Sequence, residues 1–285
     1  MKLSQAKNIV AASIDSQIQN ATGRDAQRVI PYLIGGAGLG KTSVIQQIAE
    51  ERDHGCYILS LAQFDAAELG GIIALVDGDA KRIMPHWLAK IIQMASTMTA
   101  VYLFLDELPQ APVSNQNVAA QVVNERRIGE FKLPDNVAIV AAGNRTSDRA
   151  GTNNMPSHLK DRLMFLEIEA DLEDTIAYFM AHKVHEDVTG FLRSRPEFLH
   201  KFDRDANASP SPRSWDRVST ILGWGLPPVE QAEAITGQVG RAACADFMGY
   251  VKLKDHMPDL DKVISNPDSA DLPNDAMVLY ATASG

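Results

Sequence analysis

The stretch "YLIGGAGLGKTSVIQQ", residues 32–47, joins an apolar run, a glycine-rich loop and the start of a helical pattern. Gly35 and Gly40 enclose four residues, and Lys41 and Thr42 follow at once, which matches the pattern G-x-x-x-x-G-K-[ST]. Glycines let backbone N–H groups turn inward and approach phosphate oxygens closely. A helix that begins at such a loop adds the positive end of its dipole. The stretch therefore predicts a site for a nucleoside triphosphate.

The residues of this loop have separate predicted roles. The Lys41 ammonium is expected to reach the β and γ phosphates, and the Thr42 hydroxyl is expected to bind Mg²⁺. A chance glycine-rich turn is the alternative, but a buried strand before the loop and a helix after it argue against chance. The predicted nucleotide contacts are Gly35, Gly36, Ala37, Gly38, Leu39, Gly40, Lys41, Thr42 and Ser43.

The composition limits the classes of partner. The chain has 285 residues and a formal net charge of −9, from 36 acidic and 27 basic residues. Proteins that act mainly on nucleic-acid phosphates usually have a basic surplus, so the balance argues against that class without excluding a local basic patch. The apolar runs are too short to cross a bilayer, and residues 1–20 lack the pattern of a secretory signal. We expect a cytoplasmic protein with no membrane partner.

The cysteines and histidines do not form a metal-binding pattern. Cys56 and Cys244 stand among apolar residues and are predicted to be small core residues. His182 and His185 are three residues apart on a predicted helix, with no further ligand nearby. We interpret them as surface or packing histidines and predict no zinc site.

Residues 1–170 alternate helical patterns with short apolar strands, after an amphipathic helix at the start. Continuous apolar strands between helices are buried on both faces, which predicts an α/β fold with a three-layer parallel sheet. The predicted strands are 28–35, 56–62, 101–108, 136–144 and 164–170, and the predicted helices are 42–52, 86–98 and 115–129.

Two other segments depart from this alternation. Residues 66–85 contain glycines and are predicted to be a loop or hairpin insert with its turn at Asp77 and Gly78. From residue 171 to 285 helical spacing continues without a strong strand pattern, which predicts a smaller all-helical domain. A tail rich in Pro and Asp begins at Met257, and the sequence leaves open whether this tail packs.

Polar side chains stand where two apolar strands end. Asp106 and Glu107 follow "VYLFL", and Asn144 follows "VAIVAAG". Ligands of open α/β sheets bind at this carboxyl edge. We expect Asp106 to hold the metal, Glu107 to act as the general base on the attacking water, and Asn144 to position that water or contact the γ phosphate. A solvated strand end and a turn-forming asparagine are the alternatives, and the nearby glycine-rich loop argues against them.

Two arginines are further candidates. Arg162 directly precedes a predicted strand, and Arg213 stands near the start of a helix in the second domain. The planar, always charged guanidinium suits a developing phosphoryl charge. Composition alone does not distinguish either residue from an arginine in a surface ion pair.

The motifs, taken in order, resemble those of AAA+ ATPases, and within that group those of MoxR-type ATPases. The glycine-rich loop resembles the Walker A motif, and "LFLDE" resembles Walker B. "AAGNRTSDRAG" resembles the sensor 1 region, "MPSHLKDRL" the segment of the arginine finger, and "SPRSW" sensor 2. The similarity extends over about residues 25–250. This resemblance implies a P-loop ATPase domain followed by a helical lid domain, with ATP and Mg²⁺ as cofactors.

The resemblance also implies an assembly and partners. ATP would bind between the subunits of a hexameric ring, with Arg162 as the finger that reaches a neighbour's γ phosphate and Arg213 as the lid sensor. The insert would lie near the central pore, where its charged residues are candidate substrate contacts or a solvated loop. A separate protein with a von Willebrand factor A domain is the implied partner. The charged residues of the insert are Asp77, Asp79, Lys81 and Arg82.

Several assignments stay open at this stage. Residues near Arg162 compete with it for the finger role, and two arginines before the fourth strand could also reach an interface. These competing residues are Arg145, Arg149, Lys160, Arg126 and Arg127. The expected function is ATP-driven, chaperone-like remodelling of a protein client. The alternatives are a nucleic-acid motor or loader on the same core, and a ring scaffold that binds nucleotide without turnover.

Overall fold

The computed structural model describes residues 1–19, 28–145, 153–203 and 206–254. The chain divides into two compact units, Met1–Glu169 and Ala170–Gly285. The tail from Met257 lies outside the described residues. No helix within the described ranges is long and apolar enough to cross a membrane.

Five parallel strands form the central sheet of the first unit, flanked by helices. The strands are β1 (Ile30–Gly35), β2 (Gly55–Ser60), β3 (Ile73–Val76), β4 (Asp79–Arg82), β5 (Val101–Asp106), β6 (Arg127–Ile128), β7 (Phe131–Lys132), β8 (Val137–Gly143) and β9 (Leu163–Ile168). The order in the sheet is β2-β5-β8-β1-β9, while β3–β4 and β6–β7 form antiparallel hairpins. Every residue of β8 is buried, as a parallel sheet covered on both faces requires. The predicted α/β fold is confirmed.

The helices belong to both units. Those of the first unit are α1 (Leu3–Gln19), α2 (Lys41–Glu51), α3 (Ala66–Gly70), α4 (His86–Thr97), α5 (Val113–Glu125) and α6 (Ser157–Lys160). Those of the second are α7 (Leu172–Ala181), α8 (Glu186–Ser194), α9 (Pro212–Leu222), α10 (Pro228–Val239) and α11 (Arg241–Lys254). The described part of the second unit is helical, as predicted, and its core packs Phe191, Trp215 and Phe247 against one another.

Gln17 of α1 completes the hydrogen bonding of the central strand β8. The residue pairs between β1 and β8 begin only at Tyr32 and Ala141, so the start of β8 extends beyond this pairing. The Gln17 side chain, 1% exposed, donates to the Ile139 carbonyl over 2.9 Å and accepts from the Ile139 N–H over 2.8 Å. The amide thus bonds both polar groups of a buried strand residue, as a neighbouring strand does.

The helix predicted over 115–129 is wrong at its carboxyl end. The helix α5 ends at Glu125, and Arg126 takes a left-handed φ of 52°. The Arg126 guanidinium donates to the carbonyls of Pro134 and Val137, both over 2.7 Å. The chain then turns back through the β6–β7 hairpin, which was not predicted from the sequence. The Arg126 side chain is therefore engaged within its own domain, which argues against a role for it at an interface.

His182 and His185 of the second unit do not share a helix, contrary to prediction. His182 ends α7, and His185 caps the start of α8 by accepting from the N–H of Asp187 over 3.2 Å. Lys183, between them, has a left-handed φ of 56°. Among the described residues, no group of three or more His, Cys, Asp or Glu side chains could hold a metal ion.

The two cysteines differ in burial. Cys244 is buried in the second unit, as predicted for a small core residue. Cys56 in β2 is half-buried, and burial raises its pKa to about 11. Both thiols are free.

The predicted insert contains the β3–β4 hairpin, preceded by the short helix α3. Asp77 and Gly78 form its turn, with φ angles of 55° and 85°. Arg82 belongs to the base of the hairpin: its guanidinium donates to the carbonyls of Gly70 and Gly71 over 2.7 and 3.1 Å. This engagement argues against Arg82 as a substrate contact. The candidates that remain are the exposed Asp77, Asp79 and Lys81.

The Gln17→Ala variant should lose stability in the first unit. Truncation leaves the N–H and the carbonyl of Ile139 buried without a partner, and such a loss costs about 3 kcal/mol in total. We expect a lower midpoint of urea unfolding and faster hydrogen exchange at the β8 amides. Gln19→Ala, at the exposed last residue of α1, is the matched control and should change neither quantity. Equal stability of the two variants would show that the Gln17 amide is dispensable.

Candidate active site

The glycine-rich loop lies between β1 and α2, at the carboxyl edge of the sheet. Gly38 and Gly40 have φ angles of 79° and 83°, in the left-handed region that favours glycine. A Cβ on Gly35 would lie 2.6 Å from the carbonyl oxygen of Ile168 in β9. Glycine is therefore required by the turn and by the close approach of the loop to the sheet. The other predicted nucleotide contacts of the loop lie in the same turn or in the first turn of α2; they are Gly36, Ala37, Leu39 and Ser43.

Lys41, the first residue of α2, joins this loop to the end of β8. Its side chain is 8% exposed. The ammonium donates to the carbonyls of Gly35 and Gly36, both over 2.8 Å, and to Oδ1 of Asn144 over 3.0 Å. The structure thus places the predicted phosphate ligand Lys41 against the predicted water-positioning residue Asn144.

Thr42 and Asp106 bring two oxygen ligands together. The Thr42 hydroxyl donates to Oδ2 of Asp106, the last residue of β5, over 3.0 Å. Burial raises the pKa of Asp106 above the usual range, while hydrogen bonds from Thr42 and from the Glu107 N–H oppose this shift. Hydroxyl and carboxylate oxygens are the ligands that Mg²⁺ prefers. The pair fits such an ion, with phosphate and water as its remaining ligands.

Glu107 stands beside this pair in an unusual backbone conformation. Its φ is 58°, in the left-handed region, which is uncommon for a residue with a Cβ and occurs often at functional sites. The Glu107 N–H donates to Oδ1 of Asp106 over 2.9 Å. Its carboxylate accepts from the Ser60 hydroxyl, also over 2.9 Å. The turn therefore directs the Glu107 carboxylate toward the end of the edge strand β2.

Ser60 is a further residue of this site, and it was not predicted from the sequence. Ser60 ends β2 and pairs in register with Asp106, so it stands at the same edge of the sheet as the other polar residues. A polar residue at the end of a third apolar strand, "CYILS", was the signal that could have found it. Ser60 fixes the direction of the Glu107 side chain.

Within the described part of the first unit, the predicted arginines make no hydrogen bond to this cluster or have other partners. Arg162 is exposed between α6 and β9, and its side chain makes no hydrogen bond to the cluster within the described part of the chain. Arg145 pairs with the carboxylates of Glu167 and Glu169 over 3.1 and 3.8 Å. Arg149 lies outside the described residues. The remaining candidates are exposed: Lys160 at the end of α6, Arg127 in β6, and Arg213 in the first turn of α9 in the second unit.

The part of the chain that forms this site also matches the model of a known protein family. The family model named "ATPase family associated with various cellular activities (AAA)" matches residues 31–166. Over these residues, just under half of its length, the chain is similar to AAA ATPases. The matched segment begins in β1 and ends in β9, so it contains the glycine-rich loop together with Asp106, Glu107 and Asn144. This match supports the resemblance to AAA+ ATPases over residues 31–166.

Solved structures of RuvB from Thermotoga maritima are also similar. Its Holliday junction branch migration motor has 14% identity and a TM-score of 0.48, with coverage of 100% of this chain and 82% of that chain. A mutant of the same protein has 13% identity and a TM-score of 0.46, with the same coverage. Similarities this remote support no conclusion about the activity of this chain. A comparison with curated protein sequences found no match.

The Asp106→Asn variant should be more stable than the wild type at neutral pH in the absence of divalent cations. Burial raises the pKa of Asp106 in the folded state, so the folded state binds this proton more readily than the unfolded state. The ionised carboxylate therefore lowers stability above its raised pKa, and the loss disappears as the pH falls toward the ordinary aspartate range. We expect the Tm advantage of the variant at pH 7 to shrink on acidification.

The control for this comparison is Asp79→Asn, at the exposed first residue of β4. Its Tm should follow that of the wild type at each pH. An Asp106→Asn protein that melts below the wild type at pH 7 would show that the bonds from Thr42 and Glu107 outweigh the burial of the carboxylate.

Proposed function

We propose that this chain is a Mg²⁺-dependent ATPase of the MoxR type that works as an oligomeric ring and remodels a protein client. One observation carries the ATPase part of this proposal: Lys41 bonds Asn144 while its neighbour Thr42 bonds Asp106. These bonds bring together a phosphate ligand, a metal ligand pair and a polar group that can hold water at one edge of the sheet.

The residues of the site have distinct proposed roles. The N–H groups of the loop and the Lys41 ammonium bind the phosphates. Thr42 and Asp106 would hold Mg²⁺, which supplies positive charge against the charge that develops on the phosphate oxygens. Glu107 accepts the proton of the attacking water, and Asn144 orients that water. Ser60 keeps the Glu107 carboxylate in place, because its hydroxyl donates to that carboxylate.

The catalytic arginine is proposed to come from a neighbouring subunit. Arg162 is exposed and therefore accessible to another chain, whereas the guanidinium of Arg145 is held by Glu167 in its own chain. A finger supplied in trans is worth about 10³–10⁵ in rate. A ring, with six subunits as in the related ATPases, would give every site such a neighbour. Arg213, the proposed lid sensor, rests on the resemblance of "SPRSW" to sensor 2.

The proposed client is a protein, with a von Willebrand factor A domain protein as partner. The net charge of −9 disfavours nucleic acid as the main partner. The exposed turn of the β3–β4 hairpin is the proposed client contact, with Asp77, Asp79 and Lys81 at its tip. A nucleic-acid motor on the same core is the alternative, and a scaffold without turnover is a further one, which the presence of both Asp106 and Glu107 disfavours.

Mixing two inactive variants tests the site and the trans arginine together. Glu107→Gln should lower kcat by about 10²-fold or more, because a general base contributes 10²–10⁴. Arg162→Ala should lower kcat by about 10³-fold. A ring interface joins two different patches, so an equal mixture should recover about a quarter of the wild-type rate, at sites where an intact Glu107 meets an intact Arg162. A mixture as inactive as its components would refute the trans arginine.

A trapped complex distinguishes the proposed clients. Glu107→Gln should bind ATP without hydrolysing it and hold the client. The variant with ATP and the wild type with ADP are each recovered from native lysate, and their partners are compared by mass spectrometry and nuclease treatment. Selective recovery of a protein with a von Willebrand factor A domain supports the remodeller. Recovery of nuclease-sensitive material alone would favour the nucleic-acid motor.

A further inference from the structure

Asn153 connects two parts of the first unit: the segment that leads to Arg162 and the turn that begins at Glu107. It stands just before α6, in the segment that leads to Arg162. Its backbone N–H donates to the carbonyl of Pro109 over 2.8 Å. Its side-chain Nδ2 donates to the carbonyl of Ala111 over 2.9 Å. Both acceptors belong to the turn that begins at Glu107, so Asn153 joins the arginine segment to the catalytic turn.

The turn that accepts these bonds is also held by contacts that do not involve Asn153. The N–H groups of Gln110 and Ala111 donate to the Glu107 carbonyl over 3.0 and 3.2 Å. The fully buried Gln116 side chain donates to the Ala111 carbonyl over 3.0 Å. Pro109 packs so closely on Gly143 that a Cβ there would lie 2.3 Å from its ring. We therefore expect the turn to keep its position when the Asn153 side chain is removed.

The segment from Asn153 to Arg162 is held at its carboxyl end by β9, whose first residue, Leu163, pairs with Ile30 of β1. Met155 and Leu159 are buried in the core of the domain, with exposures of 9% and 0%. The Arg162 N–H donates to the Leu159 carbonyl over 3.2 Å, which closes the turn after α6. The side chain of Asn153 provides a polar anchor at the start of this segment. Loss of that anchor would leave the start of the segment with the single bond from the Asn153 N–H and with apolar contacts, which are not directional, so the start would be freer to shift along the core surface.

We propose that Asn153 is a positioning residue for Arg162. Its amide fixes the arginine segment to the Glu107 turn, so that Arg162 is presented to the neighbouring subunit in one orientation. This inference rests on the proposed role of Arg162 as a trans arginine. A misplacement of about 1 Å is enough to lower a rate by about 10²-fold in a preorganised site. The effect therefore belongs to the neighbour's active site and not to the site of the subunit that carries Asn153.

Two substitutions and one control test this assignment. Asn153→Ala removes the amide donor, and Asn153→Asp replaces it with an oxygen that faces the Ala111 carbonyl oxygen. Asn154→Ala, at the exposed adjacent asparagine, is the matched control. We expect kcat to fall about tenfold in Asn153→Ala and at least as far in Asn153→Asp. The affinity for a non-hydrolysable ATP analogue and the circular dichroism spectrum should stay those of the control. Hydrolysis by both variants at the rate of the control would overturn the proposal.

Mixed rings separate positioning of Arg162 from an effect on Glu107. Asn153→Ala is mixed in equal amounts with Glu107→Gln, which carries an intact Asn153 and an intact Arg162. Half of the Asn153→Ala sites then face an intact arginine, so the rate per Asn153→Ala subunit should rise about fivefold. The same mixture with Asn154→Ala gives the reference for any effect of Glu107→Gln on the ring. An unchanged rate per Asn153→Ala subunit would place the defect in its own site and overturn the proposal.

The failure of this proposal differs from the failure of the proposed function. If Glu107→Gln and Arg162→Ala do not complement each other, the trans arginine itself is wrong, and the inference on Asn153 falls with it. If those two variants complement each other but Asn153→Ala is not rescued by Glu107→Gln, only the role of Asn153 is wrong.

Discussion

The carboxyl edge of the buried parallel sheet is the constraint on which the site depends. Strands β5 and β8 are buried along almost their whole length, so polar side chains can stand only where the strands end. Parallel pairing of β8 with both β5 and β1 brings these ends to one edge. Asp106 and Asn144 therefore meet the first residues of α2. The topology assembles the site, and the hydrogen bonds of Lys41 and Thr42 then fix its geometry.

Local patterns explain which parts of the site could be predicted from the sequence. Lys41 and Thr42 follow a fixed glycine spacing, and Asp106 and Asn144 follow apolar runs, so each is visible within ten residues of the chain. Gln17 and Asn153 are different, because they bond backbone groups 122 and 42 residues away. No short pattern marks a side chain that pairs with a distant carbonyl. The roles of Gln17 and Asn153 can be recognised only when the order of the strands in the sheet is known.

The same limit explains the error at the end of α5. Residues 115–129 have the composition of a helix, and local propensity favours continuing it. Tertiary contacts decide otherwise: the Arg126 side chain bonds carbonyls that precede and begin β8, and Gly129 adopts a left-handed φ of 54° against the side chain of Arg82. Arg82 thereby links the two hairpins of the domain, since it also bonds the carbonyls before β3.

The contact between Gln17 and Ile139 has a consequence for how the chain folds. These residues are 122 positions apart, so the Gln17 side chain gains its bonds to Ile139 only after the segment between them has been synthesised. Before β8 emerges, α1 has only its contacts with earlier segments, such as the bond from the Ser13 hydroxyl to the Val29 carbonyl and the ion pair of Asp15 with Arg52. Contacts of such long sequence separation slow folding, because the intervening loop must close before they form. The central strand β8 is therefore the strand that connects β5 with β1, and its arrival also completes the bonds of Gln17.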